Sequence, residues 1–235
     1  MANQYRAAII GCGGISRRHA RGFKALPGCE LVAGADIVPE NAAKLAAEFD
    51  IPHTYTDCQE LLEKERPDLV AICTWPGTHA EITGAAAEAG ARGILCEKPA
   101  CLNLAEADAM IAACERAGCR LAIAHHHRFD RVNTTARRHV AAGAIGLPAL
   151  LRYGTDGGLL NNGTHSIDTA RYLLGDPPAR WVMGQVERRT DRYERGHPIE
   201  DRCTGLIGFE GGARVIIESD MPRDWPGGQF IFGTT

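Results

Sequence analysis

Short apolar runs alternate with helical stretches from residue 1 to about residue 124. The runs are apolar on both faces, as strands of a parallel sheet are when helices cover them from both sides. The pattern predicts strands near residues 6–10, 30–35, 69–73, 93–96 and 121–124. It predicts helices near residues 15–26, 40–48, 57–65, 78–89 and 104–117. This alternation is typical of a doubly wound parallel sheet of the α/β class, and we assign residues 1–124 to a first domain.

Beyond Gly146 the pattern changes to longer strands with alternating apolar and polar positions. Strands are predicted near residues 147–153, 180–188, 202–209, 212–219 and 229–232, and helices near residues 129–142 and 162–174. We therefore expect an α+β domain over residues 125–235 with an open, mostly antiparallel sheet. The polar segment 188–201 is expected to be a solvated hairpin loop or, as the second choice, a lid over a substrate.

Composition and charge exclude several classes of protein. The 235 residues are 45% hydrophobic and 23% charged, and the net charge of -3 leaves no basic patch for nucleic acid or an anionic membrane. No apolar run approaches the roughly 18 residues of a membrane span, and the first strand is predicted too early to leave room for a signal peptide. The nine cysteines form no C-x-x-C pair, so we expect reduced packing residues in a cytoplasmic protein.

A glycine-rich turn, G-C-G-G-I-S at residues 11–16, separates the first predicted strand from the first helix. Gly11 permits a tight turn, and Gly13 lets backbone N–H groups approach a pyrophosphate. The helix that begins near Gly14 directs the positive end of its dipole at the phosphates. Ser16 stands where glycine or alanine is usual, but it is small enough for close packing. A glycine-rich turn without a ligand is the alternative. The residues expected to hold a dinucleotide here are Gly11, Gly13, Gly14, Ile15 and Ser16.

Asp36 ends the second predicted strand, about 20 residues beyond the glycine motif. A carboxylate at this place can accept hydrogen bonds from both ribose hydroxyls of adenosine, and it repels a 2′-phosphate. Ile37 and Val38 supply no cation to offset that repulsion. The sequence therefore favours NAD(H) over NADP(H), and a plain helix cap ahead of Pro39 is the alternative for Asp36.

Ligands of an open parallel sheet bind beyond the carboxyl ends of its strands. Three segments follow such ends: T-W-P-G-T-H at 74–79, E-K-P at 97–99 and H-H-H-R-F at 125–129. His79 is also expected to begin a helix. The further residues expected to contact the cofactor are Thr74, Trp75, Pro76, His79, Glu97 and Lys98.

The consecutive histidines His125, His126 and His127 suggest a metal site. Consecutive residues of an extended chain point to opposite faces, so these three cannot converge on one ion without a bend. We therefore expect no metal, and we place one or two of these histidines at the mouth of a substrate pocket.

The motifs together resemble the glucose-fructose oxidoreductase, inositol dehydrogenase and rhizopine catabolism (Gfo/Idh/MocA) family. The motifs that carry the resemblance are G-C-G-G-I-S-x-x-H-A at 11–20, Asp36, Glu97-Lys98-Pro99, Arg128-Phe129 and N-G-T-H-S-I-D at 162–168. It extends over nearly the whole chain. The resemblance implies a Rossmann domain followed by an α+β domain whose open sheet often packs in a dimer or tetramer. It also implies NAD(P)-dependent hydride transfer involving a sugar, a polyol or a sugar derivative.

The resemblance further implies individual roles. Lys98 would lie beside the substrate hydroxyl and the nicotinamide, where an ammonium stabilises a developing alkoxide. His165 matches the histidine of the family's D-x-x-x-H pattern and can exchange the hydroxyl proton. Asn161 stands where many members carry aspartate; it can orient a hydroxyl but cannot accept its proton. Asp168 is expected to be structural. Substrate contacts are expected from His126, Arg128 and Asn162.

Two departures from the family leave alternatives open. The segment 154–160 is shorter than the corresponding loop of many members, and the family pattern continues well beyond Thr235. The second domain is therefore expected to be incomplete. A nucleotide-binding sensor that has lost turnover is the alternative function, and a nonfunctional fragment is the third.

Overall fold

The computed structural model describes residues 5–222 and 228–235, and it separates into two compact units, Met1–Ala124 and His125–Thr235. The strands of the first unit are β1 (Tyr5–Ile10), β2 (Cys29–Ala35), β3 (His53–Tyr55), β4 (Leu69–Ile72), β5 (Gly93–Cys96) and β6 (Arg120–Ile123). Its helices are α1 (Ser16–Ala25), α2 (Pro39–Phe49), α3 (Cys58–Glu65), α4 (His79–Glu88) and α5 (Leu104–Ala117).

The six strands form one parallel sheet in the order β3-β2-β1-β4-β5-β6. This confirms the predicted doubly wound sheet. The sequence pattern missed β3, which has three residues and no apolar run. The strand order reverses between β1 and β4, and at such a switch point the loops beyond the carboxyl ends leave a crevice for a ligand.

The last four residues of β1, residues 7–10, are buried on both faces of the sheet, as a central parallel strand requires. Ala8 and Ile10 pack into one apolar cluster, and Ala7 and Ile9 pack into the cluster on the opposite face. Successive side chains of a strand point to opposite faces, so the unbroken apolar run serves both cores.

Helix α5 has residues at both ends that favour a helix terminus. Asn103 Oδ1 accepts a hydrogen bond from the Glu106 backbone N–H (3.0 Å), and Glu106 Oε2 accepts one from the Leu102 N–H (2.8 Å). Gly118, at φ +65°, ends the helix in the left-handed conformation that favours glycine. Gly90, at φ +95°, follows α4 in the same way.

The second unit contains a mixed sheet and two α-helices. Its strands are β7 (Pro148–Thr155), β8 (Ala179–Glu187), β9 (Tyr193–Glu194), β10 (His197–Pro198), β11 (Arg202–Phe209), β12 (Arg214–Ser219) and β13 (Gln229–Gly233). Its helices are α6 (Arg131–Ala141) and α7 (Thr164–Leu174), and a 3₁₀ turn (His126–Phe129) and a π-helical turn (Gly158–Gly163) precede them.

The larger sheet of this unit has the order β13-β7-β12-β11-β8, in which only the β7–β12 pair is parallel. The predicted open, mostly antiparallel sheet is thereby confirmed. Ala170 and Leu173 of α7 pack into its core. Strand β8 lies at an edge and exposes apolar side chains, including Val182 and Met183.

The polar segment 188–201 contains the hairpin β9–β10. Arg195 and Gly196, which connect the two strands, both have positive φ, as a two-residue hairpin turn matched to the strand twist requires. In the two described ranges, no helix combines the length and the apolar character needed to cross a membrane.

Candidate functional site

Gly11 lies where the chain leaves β1. Its φ is +88°, and a Cβ at this position would lie 2.7 Å from both the Cys73 carbonyl carbon and the Thr74 nitrogen. Both neighbours are backbone atoms, so they cannot rotate away as a side chain could. Glycine is therefore required for the loop after β1 to pack against the loop after β4.

The next two glycines leave open space at the start of α1. A Cβ at Gly13 or Gly14 would meet no atom within 4 Å. The N-cap residue Ile15 contributes no side-chain hydrogen bond to the first turn of the helix. Helix N–H groups that receive no cap are suited to bind an anion, so this turn fits a pyrophosphate.

The contacts of Ser16 explain how a serine fits where the motif usually has glycine or alanine. Its side chain is fully buried, and its hydroxyl donates a hydrogen bond of 2.5 Å to the Gly13 carbonyl. The hydroxyl closes the turn locally, and the residue remains small enough for the helix to pack against the sheet.

The Asp36 carboxylate is fixed by backbone N–H groups from two loops. Oδ2 accepts a hydrogen bond from the Cys12 N–H (2.7 Å), and Oδ1 accepts one from the Val38 N–H (2.9 Å). The bond from Val38 closes a local turn before α2, as the helix-cap alternative predicts. The bond from Cys12 connects Asp36 to the glycine motif. Oδ1 also accepts a long hydrogen bond from the Asn41 amide (3.4 Å), so of about four acceptor positions one remains for a ribose hydroxyl, and a second becomes available if this long bond breaks.

The cysteines around this crevice are not nucleophiles. Burial, followed by the charge of Asp36, raises the pKa of the Cys12 thiol to about 12. Burial, followed by the charge of Glu97, raises the pKa of the Cys96 thiol to about 12 as well. Both groups remain neutral thiols near neutral pH, and all nine cysteines are unpaired.

Glu97 and His19 form a buried pair next to Lys98. Glu97 Oε1 lies 2.8 Å from His19 Nε2, and the Lys98 backbone N–H donates to Glu97 Oε2 (3.2 Å). Burial raises the pKa of Glu97, but His19 and the Lys98 N–H and ammonium outweigh it, and the net pKa is lowered. Glu97 therefore stays a carboxylate that holds the Lys98 backbone. The sequence analysis assigned no role to His19, although it stands in the quoted G-C-G-G-I-S-x-x-H-A motif.

His79 begins α4, as predicted, and its ring contacts backbone carbonyl groups, whereas its cofactor contact stays a prediction. The ring is fully buried. Nδ1 lies 3.1 Å from the Pro99 carbonyl oxygen and 3.2 Å from that of Ala100, and Nε2 lies 3.1 Å from the Thr74 carbonyl oxygen. The ring thus bridges the loop after β4 and the loop after β5. Sequence spacing could not show this because backbone carbonyls carry no sequence signal.

The other residues of the loop after β4 differ in exposure. The Trp75 side chain is 62% exposed, whereas Pro76 is buried. The Thr78 hydroxyl donates to the Thr74 hydroxyl (2.8 Å) and so closes the loop on itself. The backbone of the loop is therefore held by this hydrogen bond, and its indole is exposed beside the crevice.

In the second unit, Arg128 forms two ion pairs, and its substrate contact stays a prediction. Its guanidinium donates two hydrogen bonds of 2.7 Å to Asp168 and two bonds, of 3.0 and 2.7 Å, to Asp176. These carboxylates raise the pKa of Arg128 further, and the hydrogen bond from Arg128 lowers the pKa of Asp176. Arg128 therefore anchors the 3₁₀ turn to α7. Asp168 has the structural role that was expected of it.

We expect Arg128→Met to lower the free energy of unfolding near pH 7 by about 2 kcal/mol, allowing for solvent screening at the partly exposed Asp176. The folded-state pKa of Asp176 lies below its ordinary value, so its contribution is complete above about pH 4 and is lost as the pH falls further. Urea unfolding of wild type and variant at neutral and acidic pH measures this difference. The difference in the free energy of unfolding should be smaller at acidic pH.

The matched control for this variant is Arg131→Met, which alters an exposed residue at the start of α6. Its stability should equal that of the wild type at both pH values. A difference between Arg128→Met and the wild type that is the same at neutral and acidic pH would contradict the assigned ion pairs.

Four histidines converge in the second unit. The rings of His125, His126 and His127 lie 5.6, 5.0 and 4.5 Å from the ring of His165, measured between centroids. Convergence of the consecutive histidines on one ion was predicted to require a bend, and the 3₁₀ turn at His126–Phe129 supplies one. His126 and His127 come close enough to His165 to share an ion, and His125 does not belong to that group.

Asn161 and Asn162 lie in the π-helical turn before α7. Asn161 is buried, and its Nδ2 donates to the carboxylate of Glu194 in the hairpin β9–β10. Asn162 is exposed and donates to the Asp156 carbonyl oxygen (2.8 Å). Glu194 lies 33 residues from Asn161 in a segment expected to be loop, so no sequence signal pointed to it. A carboxylate thus lies next to Asn161.

Two family models match the chain. The model described as "Oxidoreductase family, NAD-binding Rossmann fold" matches residues 5–125, and the "GFO/IDH/MocA C-terminal domain" matches residues 148–232. The D-apiose dehydrogenase of Paraburkholderia graminis is 32% identical over 92% of the chain, and the myo-inositol 2-dehydrogenase of Thermotoga maritima is 31% identical over 91%. The chain spans 60% of the first relative's length and 68% of the second's.

Solved structures share the fold of this chain. A probable dehydrogenase from Thermotoga maritima superposes with a TM-score of 0.82 and 28% identity over 97% of this chain and 73% of its own. An oxidoreductase domain protein from Kribbella flavida superposes with a TM-score of 0.85 and 26% identity over 100% of this chain and 72% of its own.

Proposed function

Because the chain belongs to the Gfo/Idh/MocA family of NAD-binding oxidoreductases, we propose that it transfers a hydride between a nicotinamide dinucleotide and a carbinol of a sugar, polyol or sugar derivative. The observation that carries the proposal is the crevice of the first unit, where an open glycine turn lies at the carboxyl edge of the sheet. The buried residues His19, Glu97 and Lys98 stand at that same edge. The names of the relatives, which act on D-apiose and myo-inositol, support this class of substrate.

In the proposed chemistry three side chains act on the substrate, and two carboxylates hold two of them in position. The bound dinucleotide supplies or accepts the hydride. Lys98 stabilises negative charge on the substrate oxygen with its ammonium, and the Glu97 carboxylate holds the lysine backbone. His165 exchanges the hydroxyl proton, and Asn161, held by Glu194, orients a hydroxyl.

The remaining contacts are proposed on the same basis. Backbone groups of Gly13, Gly14, Ile15 and Ser16 would hold the pyrophosphate, and the loop 74–76 would border the nicotinamide half of the dinucleotide. His126 and the exposed Asn162 would contact the substrate. We further propose a homo-oligomer that covers the exposed apolar residues of β8, and a cytoplasmic location in keeping with nine unpaired cysteines.

We propose that the cofactor is NAD(H) rather than NADP(H). In Asp36→Asn the negative charge is lost while one side-chain oxygen remains to accept the Cys12 N–H. We expect the ratio of the NADPH to the NADH dissociation constant to fall by about tenfold, or about 1.4 kcal/mol, because the repulsion of the 2′-phosphate is removed. Fluorescence titration with each reduced cofactor measures that ratio.

Asp57→Asn is the matched control, because Asp57 accepts a local backbone N–H at the start of α3 in the same manner. It should leave the cofactor ratio at the wild-type value. An unchanged ratio in Asp36→Asn would show that Asp36 is only the helix cap.

The proposed activity is tested by following the near-ultraviolet absorbance of the reduced nicotinamide with the purified full chain. The substrates are a panel of aldoses, inositols and glycosides, each supplied with NAD, and the corresponding ketones supplied with NADH. Turnover on any of them supports the dehydrogenase. Binding of NADH without turnover on any compound would favour the sensor, and absence of NADH binding would refute both functions.

A further inference from the structure

A cluster of three imidazoles in the second unit lies outside the usual needs of hydride transfer. His126 and His127 come from the 3₁₀ turn, and His165 comes from the first turn of α7. One nitrogen from each ring can be chosen such that all three lie within 4.8 Å of one another. Hydride transfer to or from a carbinol needs one proton acceptor, so the cluster holds more imidazoles than the proposed proton transfer uses.

A carboxylate orients one of these rings. His127 Nδ1 lies 2.6 Å from Asp130 Oδ2, so the ring donates from Nδ1 in its neutral form and Nε2 carries the lone pair. A carboxylate placed behind a histidine in this way is a recurrent feature of metal ligation, because it fixes the tautomer and raises the basicity of the other nitrogen.

The two elements that carry the cluster are fastened together. Arg128, which stands between His127 and the end of the 3₁₀ turn, bridges to Asp168 of α7 and to Asp176 just beyond it. The Asn133 amide also donates to the His127 carbonyl oxygen (2.9 Å). These contacts hold the backbone of the cluster in place. Rotation of the three histidine side chains is therefore the motion that would bring their ligand nitrogens closer together.

We propose that His126, His127 and His165 bind a divalent transition-metal ion of the zinc class. Three neutral imidazoles are a donor set that suits zinc, copper or nickel, and the fourth position of a tetrahedral ion would be open to water or a substrate oxygen. Zinc–nitrogen bonds of about 2.0 Å place the nitrogens of a tetrahedral site about 3.3 Å apart. The three ring nitrogens lie within 4.8 Å of one another, so they must approach by about 1.5 Å or less. Binding of the ion does not depend on the proposed function.

One consequence does rest on the proposed function. A metal ion bound to His165 occupies the lone pair that would accept the hydroxyl proton, so the same imidazole cannot serve both at once. A bound zinc ion would then inhibit hydride transfer.

The test is a titration of the tag-free full chain with Co²⁺, followed by its visible absorption bands, and then displacement by Zn²⁺. We expect one bound ion with the intense bands of a tetrahedral site. His126→Gln, His127→Gln and His165→Gln should each weaken Co²⁺ binding by more than about tenfold, and Asp130→Asn should weaken it by about tenfold. Circular dichroism verifies that each variant is folded.

His139→Gln, which removes an exposed histidine of α6, is the matched control and should bind Co²⁺ like the wild type. Equal weakening in His139→Gln, or unchanged binding in the three cluster variants, would overturn the proposal. Absence of saturable Co²⁺ binding would overturn it as well. Because the readout is spectroscopic, these outcomes are distinct from a failure to find dehydrogenase activity.

Discussion

Replacement of Lys98 by alanine is expected to lower kcat by a factor of about 10² to 10⁴ and to leave NADH affinity nearly unchanged. The reason is that the ammonium is assigned to the charge that develops on the substrate oxygen, whereas the pyrophosphate is assigned to backbone groups of residues 13–16. Lys98 is only 9% exposed, so no other side chain can easily take its place. Steady-state kinetics on the best substrate of the panel and fluorescence titration with NADH measure the two quantities.

Two further variants make the Lys98 result decisive. Lys98→Arg keeps the positive charge and should recover part of the lost rate. Lys64→Ala removes an exposed lysine that pairs with Glu60 on α3, and it should behave as the wild type. If Lys98→Ala loses NADH binding and turnover to the same extent, the lysine is structural and the proposed role fails.

The second large effect is expected in Gly11→Ala, which should destabilise the first unit by more than about 3 kcal/mol. The new methyl carbon would lie 2.7 Å from two backbone atoms of the loop after β4, and the residue would also have to keep a φ of +88°. Thermal or urea unfolding, followed by circular dichroism, measures the loss. NADH binding should fall with it, because the turn no longer forms.

Gly13→Ala is the matched control, since its methyl group would meet no protein atom within 4 Å. We expect it to fold with nearly wild-type stability but to bind NADH at least about tenfold more weakly, because the methyl group occupies the path of the pyrophosphate. Equal stability losses in the two variants would contradict the distinction between a packing glycine and a ligand-binding glycine.

Much of the fold could be predicted because its main elements depend on local patterns. The apolar run of β1 and the cap at Asn103 each determine their element through neighbouring residues. Strand β3 was missed because its three residues, His53–Tyr55, belong to the sheet through backbone pairing and carry no apolar signature. A hairpin loop was expected over residues 188–201, but its polar composition gave no signal for the two short strands β9 and β10 within it.

The site was less predictable because its partners are distant in sequence. Arg128 was expected to contact substrate, but its carboxylate partners lie 40 and 48 residues away. The imidazole of His79 is bound by backbone carbonyls 20 and 21 residues ahead, and no residue type signals such acceptors. The approach of His126 and His127 to His165 could not be predicted, because the 3₁₀ turn that supplies the necessary bend carries no clear sequence signal.

The bridge formed by His79 links the mobility of the two loops that border the cofactor crevice. A shift of the Thr74 carbonyl stretches one end of the bridge, and a shift of the Pro99 carbonyl stretches the other. A ligand that shifts the Thr74 carbonyl is therefore expected to move the Pro99 carbonyl as well or to lose a contact of the buried ring. We expect the two loops to respond together when a ligand binds against one of them.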